Sequence, residues 1–255
     1  MDESPEHLPA RQVSAQGPPL PTRQLMNQWW RDVVFVHWRV DPVAVAPLLP
    51  PGVEPDLYDG SAWIGLVPFR MVDAGLGRRG PVPWLGTFSE TNVRTYSVDG
   101  AGRRGVVFLS LDCDRLAVVV AAVAAFAVPY RWARISYAAS SDRVRYETER
   151  RVGDRPGSVL EVGIRDRIEG ASSGLDSFVT ARFGLHTRVA GQTLWLPNTH
   201  DAWPLHRAEV LDLDDELVAA AGLPGVVDTT PESVLFSPGV RTVFGRPQRV
   251  AQRGG

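Results

Sequence analysis

The chain contains no lysine: all 27 of its basic residues are arginine. Lysine is the side chain that condenses with carbonyls and can be tuned to a neutral amine, whereas a guanidinium stays protonated. Imine catalysis through lysine, covalent attachment of pyridoxal phosphate and a Walker-type phosphate lysine are therefore excluded. A single cysteine, Cys113, rules out an intrachain disulfide and a cysteine-built metal cage. Outside the first 24 residues the histidines are His37, His186, His200 and His206, and none stand at a ligand spacing such as H-E-x-x-H. They read as structural or surface residues, so no metal and no cofactor are expected. A basic excess is missing as well. The formal net charge of −2 argues against nucleic-acid or anionic-membrane binding. The longest apolar run, Leu116 to Val128, has thirteen residues, short of the ~20 that span a bilayer. The start, MDESPEHLP, is acidic and has no apolar segment of the secretory kind. A soluble, cytoplasmic chain is the expectation.

What is present is the composition of an ordinary globule, 44% hydrophobic and 22% charged over 255 residues. Residues 1–24 carry five prolines and few large apolar side chains and read as a disordered tail, as do 250–255. Residues 25–249 show no internal repeat and no linker and read as one domain. Period-two runs predict strands over 25–40, 61–72, 88–98, 106–111, 132–138, 143–151, 158–168, 185–196, 206–212 and 233–249. Asp41-Pro42 predicts a helix start, and short helices are expected at 43–49, 175–183 and 214–222. A longer apolar helix is expected from Asp114 to the residue before Pro129. Many closely spaced strands with a few helices give an α+β, mainly antiparallel β fold.

Three motif-like strings fail on context. G-x-G-x-x-G occurs at Gly75–Gly80 and Gly100–Gly105, but the first runs into Pro81 and Pro83 and the second into the strand VVFLSL. Dinucleotide binding needs a helix there, so both read as glycine-rich turns. G-x-S-x-G occurs around Ser172, with Asp201 and His206 downstream, but the alternating β-α pattern of a hydrolase sheet is missing. Eight tryptophans, spread from Trp29 to Trp203 with no basic groove, read as core and pocket lining.

The informative stretch is Phe88–Val98, which places Glu90, Asn92, Arg94 and Tyr96 on one face at period two. Acid, amide, guanidinium and phenol together suit the wall of a ligand cavity better than an apolar core. The alternative is that Glu90 and Arg94 neutralise each other as a buried ion pair.

The segments HWRVDPVAVAPLLPPGVEPDLYDGSAWIGLVPFRM, FSETNVRTYSV, GVVFLSLDC, FAVPYRWARISY and HDAWPLHRAEV, in that order, resemble the DUF2071 (YqjF-like) family over about Trp29 to Pro247. Through that family the chain is distantly similar to the acetoacetate decarboxylase-like fold. The resemblance implies a cone or barrel of antiparallel strands with flanking helices and a central cavity. In the decarboxylases a strand Glu precedes a helix running G-R-E into P-K-K, whose first lysine forms the Schiff base. Here Glu90 lies on that strand, Ala122-Val123-Ala124 replaces G-R-E, and Pro129-Tyr130-Arg131 replaces P-K-K. A phenol cannot form an imine, so Schiff-base decarboxylation is not available. Within its closer family the chain also departs, with Val123 in place of an Arg and Thr180-Ala181-Arg182-Phe183 in place of T-E-R-Y.

The combined expectation is a protein that binds a small acidic organic molecule in a central cavity. Arg94 and Arg131 would take its carboxylate, with Asn92 and Tyr96 adding hydrogen bonds. If chemistry occurs, Glu90 is the general acid or base, raised by burial, and Tyr130 the proton donor. The competing expectation is a non-catalytic structural or interaction domain with a filled interior. A homo-oligomer is compatible with either.

Overall fold

The computed structural model describes residues 14–77, 80–83, 86–116, 129–170 and 172–251. Its first strand, β1 (Met26–Val40), carries the MNQWWRDVVFVHWRV run. Asp41 then caps α1 (Pro42–Val45): its carboxylate accepts from the Val43 N–H at 2.8 Å, and Pro42 stands in the first turn, where its missing N–H costs nothing. After a short 3-10 turn come β2 (Val53–Pro55), β3 (Ala62–Leu76), β4 (Phe88–Asp99) and β5 (Arg104–Cys113). The second half supplies β6 (Tyr130–Ala139), β7 (Arg143–Arg150), β8 (Gly157–Arg167), α2 (Gly174–Thr180), β9 (Gly184–Val189) and β10 (Gln192–His200). It closes with β11 (His206–Asp215), α3 (Leu217–Ala220), β12 (Ser233–Phe244) and β13 (Gln248–Arg249). The long apolar helix expected after Asp114 falls on residues 117–128, which lie outside the described residues, and Val123 with it. The helix expected over 214–222 is shorter, because β11 runs on to Asp215, whose side chain caps the Val218 N–H at 2.9 Å.

The strands form one sheet that closes on itself twice. Pairing β5–β6–β7–β8–β11–β12–β1–β3–β4 and back to β5 makes one ring; pairing β5–β9–β10–β12–β1–β3–β4 and back to β5 makes another. Strands β1, β3, β4, β5 and β12 are common to both and separate two interiors. Most pairs are antiparallel, but β5 runs parallel to both β6 and β9, so the barrel is mixed. Period-two alternation sends residues of the shared wall to opposite cores. Val33, Phe35, Trp63, Val67, Phe69 and Tyr96 face the smaller ring, and Val34, Val36, Trp38, Ile64, Leu66 and Val93 face the larger one.

Two kinks keep that alternation in phase. Asp32 in β1 has φ 53° and Gly239 in β12 has φ 120°, and both lie where the two strands face each other beside the Arg31–Gly239 pair. Parity changes across the kink, so Trp30 and Phe35 pack in the same core although they are an odd number of positions, five, apart.

Candidate functional site

Glu90 stands on β4 with Phe69 of β3 and Cys113 of β5 as its cross-strand neighbours. It is 2% exposed. Tyr130, the first residue of β6, donates its hydroxyl to Glu90 Oε2 at 2.8 Å, and the Asn92 side chain adds a second hydrogen bond. Burial lifts the Glu90 carboxyl to about 7, helped by the Asp112 charge and opposed by the bonds from Tyr130 and Asn92. Burial first, and the Glu90 charge second, push the Tyr130 phenol well above its ordinary value, so it remains a proton-bearing donor. Cys113 is buried beside them and its thiol is likewise pushed up by burial, which makes it a poor nucleophile.

Further along β4 the same face carries a second constellation. Arg94 donates through Nη2 to the Val179 carbonyl at 2.9 Å and through Nε to Tyr96 Oη at 3.3 Å. Tyr96 Oη donates to the same Val179 carbonyl at 2.8 Å and lies 2.6 Å from His37 Nε2. A hydroxyl has one proton and a carbonyl only accepts, so that proton belongs to the Val179 bond and His37 Nε2 must donate. Nδ1 of His37 is then a lone pair, fully buried and without a partner among the described residues. Burial, then Arg94 and Arg182, hold the imidazole well below its ordinary value, so it is neutral. Gly65 makes room for the ring: a Cβ there would lie 2.6 Å from His37 Nε2.

The structure thus joins Glu90, Asn92 and Tyr130 in one group, and Arg94 and Tyr96 in another on the same wall. Glu90 and Arg94 do not pair with each other. Four residues along a strand separate their Cα atoms by about 13 Å, out of reach for two side chains that leave the sheet roughly parallel. Arg131 does not join Arg94 either. It stands on the face of β6 opposite Tyr130 and is exposed. The guanidinium that sequence reasoning did not place is Arg182, just past the end of α2. It stacks on Tyr96 and Phe178 at 4.6 and 4.1 Å, donates to the Phe178 carbonyl at 2.7 Å and pairs with Asp56. Asp56 is held from its other side by Arg104 at 2.7 and 2.9 Å. The signal for Arg182 was its place in the Thr180–Phe183 family block, since no local periodicity marks it.

The smaller ring is also where buried polar atoms lack partners among the described residues: Trp30 Nε1, His37 Nδ1, Asn92 Oδ1, Arg182 Nη2, Asn198 Oδ1 and Thr242 Oγ1. Facing the larger ring, Thr91 bonds Thr148 at 2.8 Å and Asp112 takes Arg150 at 2.6 and 3.1 Å, while Asp215 Oδ1 at the end of β11 is without a partner there. Orphaned buried polar atoms are costly in a filled core and ordinary in a site that meets polar guests. Four cavities of about 560, 260, 100 and 350 Å³ are lined by residues other than Glu90, Arg94 and Tyr130.

The discounted motifs resolve locally. Gly100–Gly105 is the β4–β5 turn, with Gly102 at φ 76°. Ser173 is the N-cap of α2 in a capping box with Asp176, and Ser172 bonds Ser177 at 2.6 Å. His206 instead sits 3.2 Å from the Arg165 carbonyl and His200 2.7 Å from the Asp201 carbonyl, so no serine triad and no histidine cluster forms. Among the described residues no three His, Cys, Asp or Glu side chains are grouped to hold a metal, and no helix is long and apolar enough to cross a membrane.

Comparison with known proteins agrees with the fold. The family model DUF2071, described as an uncharacterized conserved protein, matches residues 27–241. The uncharacterized protein YqjF of Bacillus subtilis (strain 168) is 30% identical over 211 residues, covering 82% of this chain and 84% of that protein. In fold the chain is similar to acetoacetate decarboxylase from Legionella pneumophila, with a TM-score of 0.66, 15% identity and 98% of each chain covered. It is also similar to the enduracididine biosynthesis enzyme MppR complexed with pyruvate, with a TM-score of 0.59, 14% identity and coverage of 91% and 93%.

Proposed function

The chain belongs to the DUF2071 family, and on that premise we propose that it binds a small organic acid inside the smaller ring and moves a proton on it with Glu90. The observation that carries this reading is Glu90 itself: a carboxyl buried in the barrel wall, held by Tyr130 at 2.8 Å and poised at about 7. A group that titrates near neutral pH exchanges protons in both directions at the least cost in driving force. The ionised carboxylate accepts a proton from carbon next to a carbonyl or carboxyl group. The neutral acid returns it, while Tyr130 holds the carboxyl in place and stays protonated throughout. Asn92, hydrogen-bonded to Glu90, is the next residue on the wall toward Arg94, whose guanidinium gives the ring the positive potential that favours an anionic ligand. That a fold neighbour holds pyruvate supports a short oxo acid as the class. Schiff-base decarboxylation is not part of this reading, because there is no lysine.

The test follows deuterium entering the methyl and methylene positions of 2-oxo acids in heavy water by NMR, with calorimetry for binding. Glu90→Gln is expected to slow exchange at least about 100-fold, within the usual worth of a general base. Arg94→Ala is expected to weaken carboxylate binding. If no carboxylate binds at millimolar concentration and Arg94→Ala changes nothing, the acid-binding reading fails.

A second reading, a non-catalytic structural or interaction domain, has one observation in its favour. Arg94 and Tyr96 already share the Val179 carbonyl, and the four cavities lie elsewhere. The same titration separates the two, since a filled barrel gives no heat with any acid.

A further inference from the structure

His37, Gly65 and Arg94 form one row across β1, β3 and β4, and the bare Gly65 lets the imidazole cross to Tyr96. The Arg94 guanidinium lies 5.4 Å from the centre of the Phe35 ring, which is itself 6.5 Å from the centre of the His37 ring. From Phe88 to Tyr96, Arg94 alone is half-buried and the rest are buried, so accessible space reaches this row.

The polar atoms on this stretch of wall are unevenly engaged. Its donors are committed. The Tyr96 proton and Arg94 Nη2 go to the Val179 carbonyl, Arg94 Nε and the His37 Nε2 proton go to Tyr96 Oη, and the Tyr130 proton goes to Glu90. Acceptors are left over. His37 Nδ1 is a bare lone pair, because the ring's one proton sits on Nε2. Asn92 bonds the Glu90 carboxyl through its N–H, the one end of an amide that can donate to a carboxylate, and keeps Oδ1. His37 is 0% and Asn92 2% exposed, and neither acceptor has a partner among the described residues.

A buried acceptor is satisfied by a donor and by nothing else. The oxygens of an ionised, unsubstituted oxo acid are all acceptors, so such an acid brings nothing for either atom. We propose that the acid held in the smaller ring carries a hydroxyl group, and that His37 is the specificity-determining residue that accepts its hydrogen bond at Nδ1. Asn92 Oδ1 makes the same demand nearer Glu90. The ligand class is then a short oxo acid with a hydroxyl on its chain. The proposal rests on the reading that the ring binds an organic acid, and sharpens which one.

The test is calorimetric titration of the full chain with butyrate and its 2-, 3- and 4-hydroxy derivatives, which differ from it by one oxygen. At least one hydroxy acid is expected to bind about 10-fold more tightly than butyrate, in line with the cost of leaving a buried acceptor unpaired. Its O-methyl ether accepts but cannot donate, and is expected to fall back to the level of butyrate. His37→Gln puts an amide nitrogen near the Nε2 position and no acceptor at Nδ1. It is expected to abolish the preference and leave butyrate unchanged. Nitrogen chemical shifts of labelled histidine give a second readout: a neutral imidazole with its proton on Nε2, whose Nδ1 signal moves with the hydroxy acid and not with butyrate. A proton on Nδ1 overturns the proposal, as does a methyl ether that binds as tightly as its alcohol. Equal affinities across the four acids overturn the hydroxyl contact and leave acid binding intact. No heat with any of the four overturns both. The ligand series and the shifts need no variant, so the result stands even if His37→Gln fails to fold.

Discussion

Glu90 is costly to the fold in the form that chemistry needs. Its carboxyl is ordinarily at 4.5 and burial raises it to about 7, so the folded chain favours the neutral acid. Stability contributed by the neutral acid is whole below pH 4.5, declines as pH rises from about 4.5 to about 7, and is flat above that. At ~1.36 kcal/mol per pKa unit, the decline amounts to about 3 kcal/mol. Glu90→Gln keeps the shape and abolishes the titration. Denaturant unfolding is expected to show the variant about 2–3 kcal/mol more stable than the unaltered chain at pH 8 and little different at pH 4.5. Parallel stability curves across that range would mean the carboxyl is not held neutral by burial. Tyr130 works in the opposite direction, because its hydrogen bond lowers the Glu90 value. Tyr130→Phe should therefore raise the Glu90 midpoint above 7, visible in the carbon chemical shift of a labelled Glu90 carboxyl during a pH titration. A midpoint that stays put or falls contradicts the hydrogen bond.

At the scale of elements, two glycines decide whether the strands can pack as they do. Gly65 faces the His37 ring across β1 and β3, and a Cβ would come 2.6 Å from Nε2. Gly65→Ala is expected to cost about 1–3 kcal/mol as overpacking and to displace His37 from Tyr96, which imidazole nitrogen shifts report. A variant as stable as the parent, with those shifts unmoved, would place the imidazole elsewhere. Gly239 sits at φ 120°, and a Cβ there would meet the Trp30 carbonyl oxygen at 1.9 Å. Neither glycine was readable as special, because each answers to a strand distant in sequence. The inward face of β4 was readable: Glu90, Asn92, Arg94 and Tyr96 share one wall because period two holds along β4. On β1 it holds only on each side of Asp32, where the left-handed residue changes the parity. Ring closure was beyond any local pattern. The parallel pairing of β5 with β9 joins Val106 to Leu185, and nothing in either run encodes the other. Arg131 shows the reverse error, since a resemblance between blocks placed it in the site and it stands exposed on the face of β6 opposite Tyr130.

The double closure sets how the whole molecule opens. Strands β1, β3 and β4 belong to both rings and are covered on both faces, so Phe69 and Leu66, or Tyr96 and Val93, pack into different cores from one strand. Freeing their amides requires breaking both clusters. Strand β11, by contrast, belongs only to the larger ring and alternates between partly buried and exposed residues, and β13 pairs only with β10. Local opening follows buried contact, and amides released only by global unfolding exchange last. Hydrogen exchange should therefore find β3 and β4 exchanging at the rate of global unfolding, with β11 and β13 exchanging earlier through smaller openings. A bound acid adds a distinguishable effect. A ligand that binds only the folded chain stabilises by RT ln(1 + [L]/Kd), which slows every amide limited by global unfolding. It should also slow peptides covering α2 beyond their own baseline, because Val179 accepts the Arg94 guanidinium whose charge favours the acid. Protection added at β6–β8 with none at α2 would place the ligand in the larger ring, on the other side of the shared wall from Glu90.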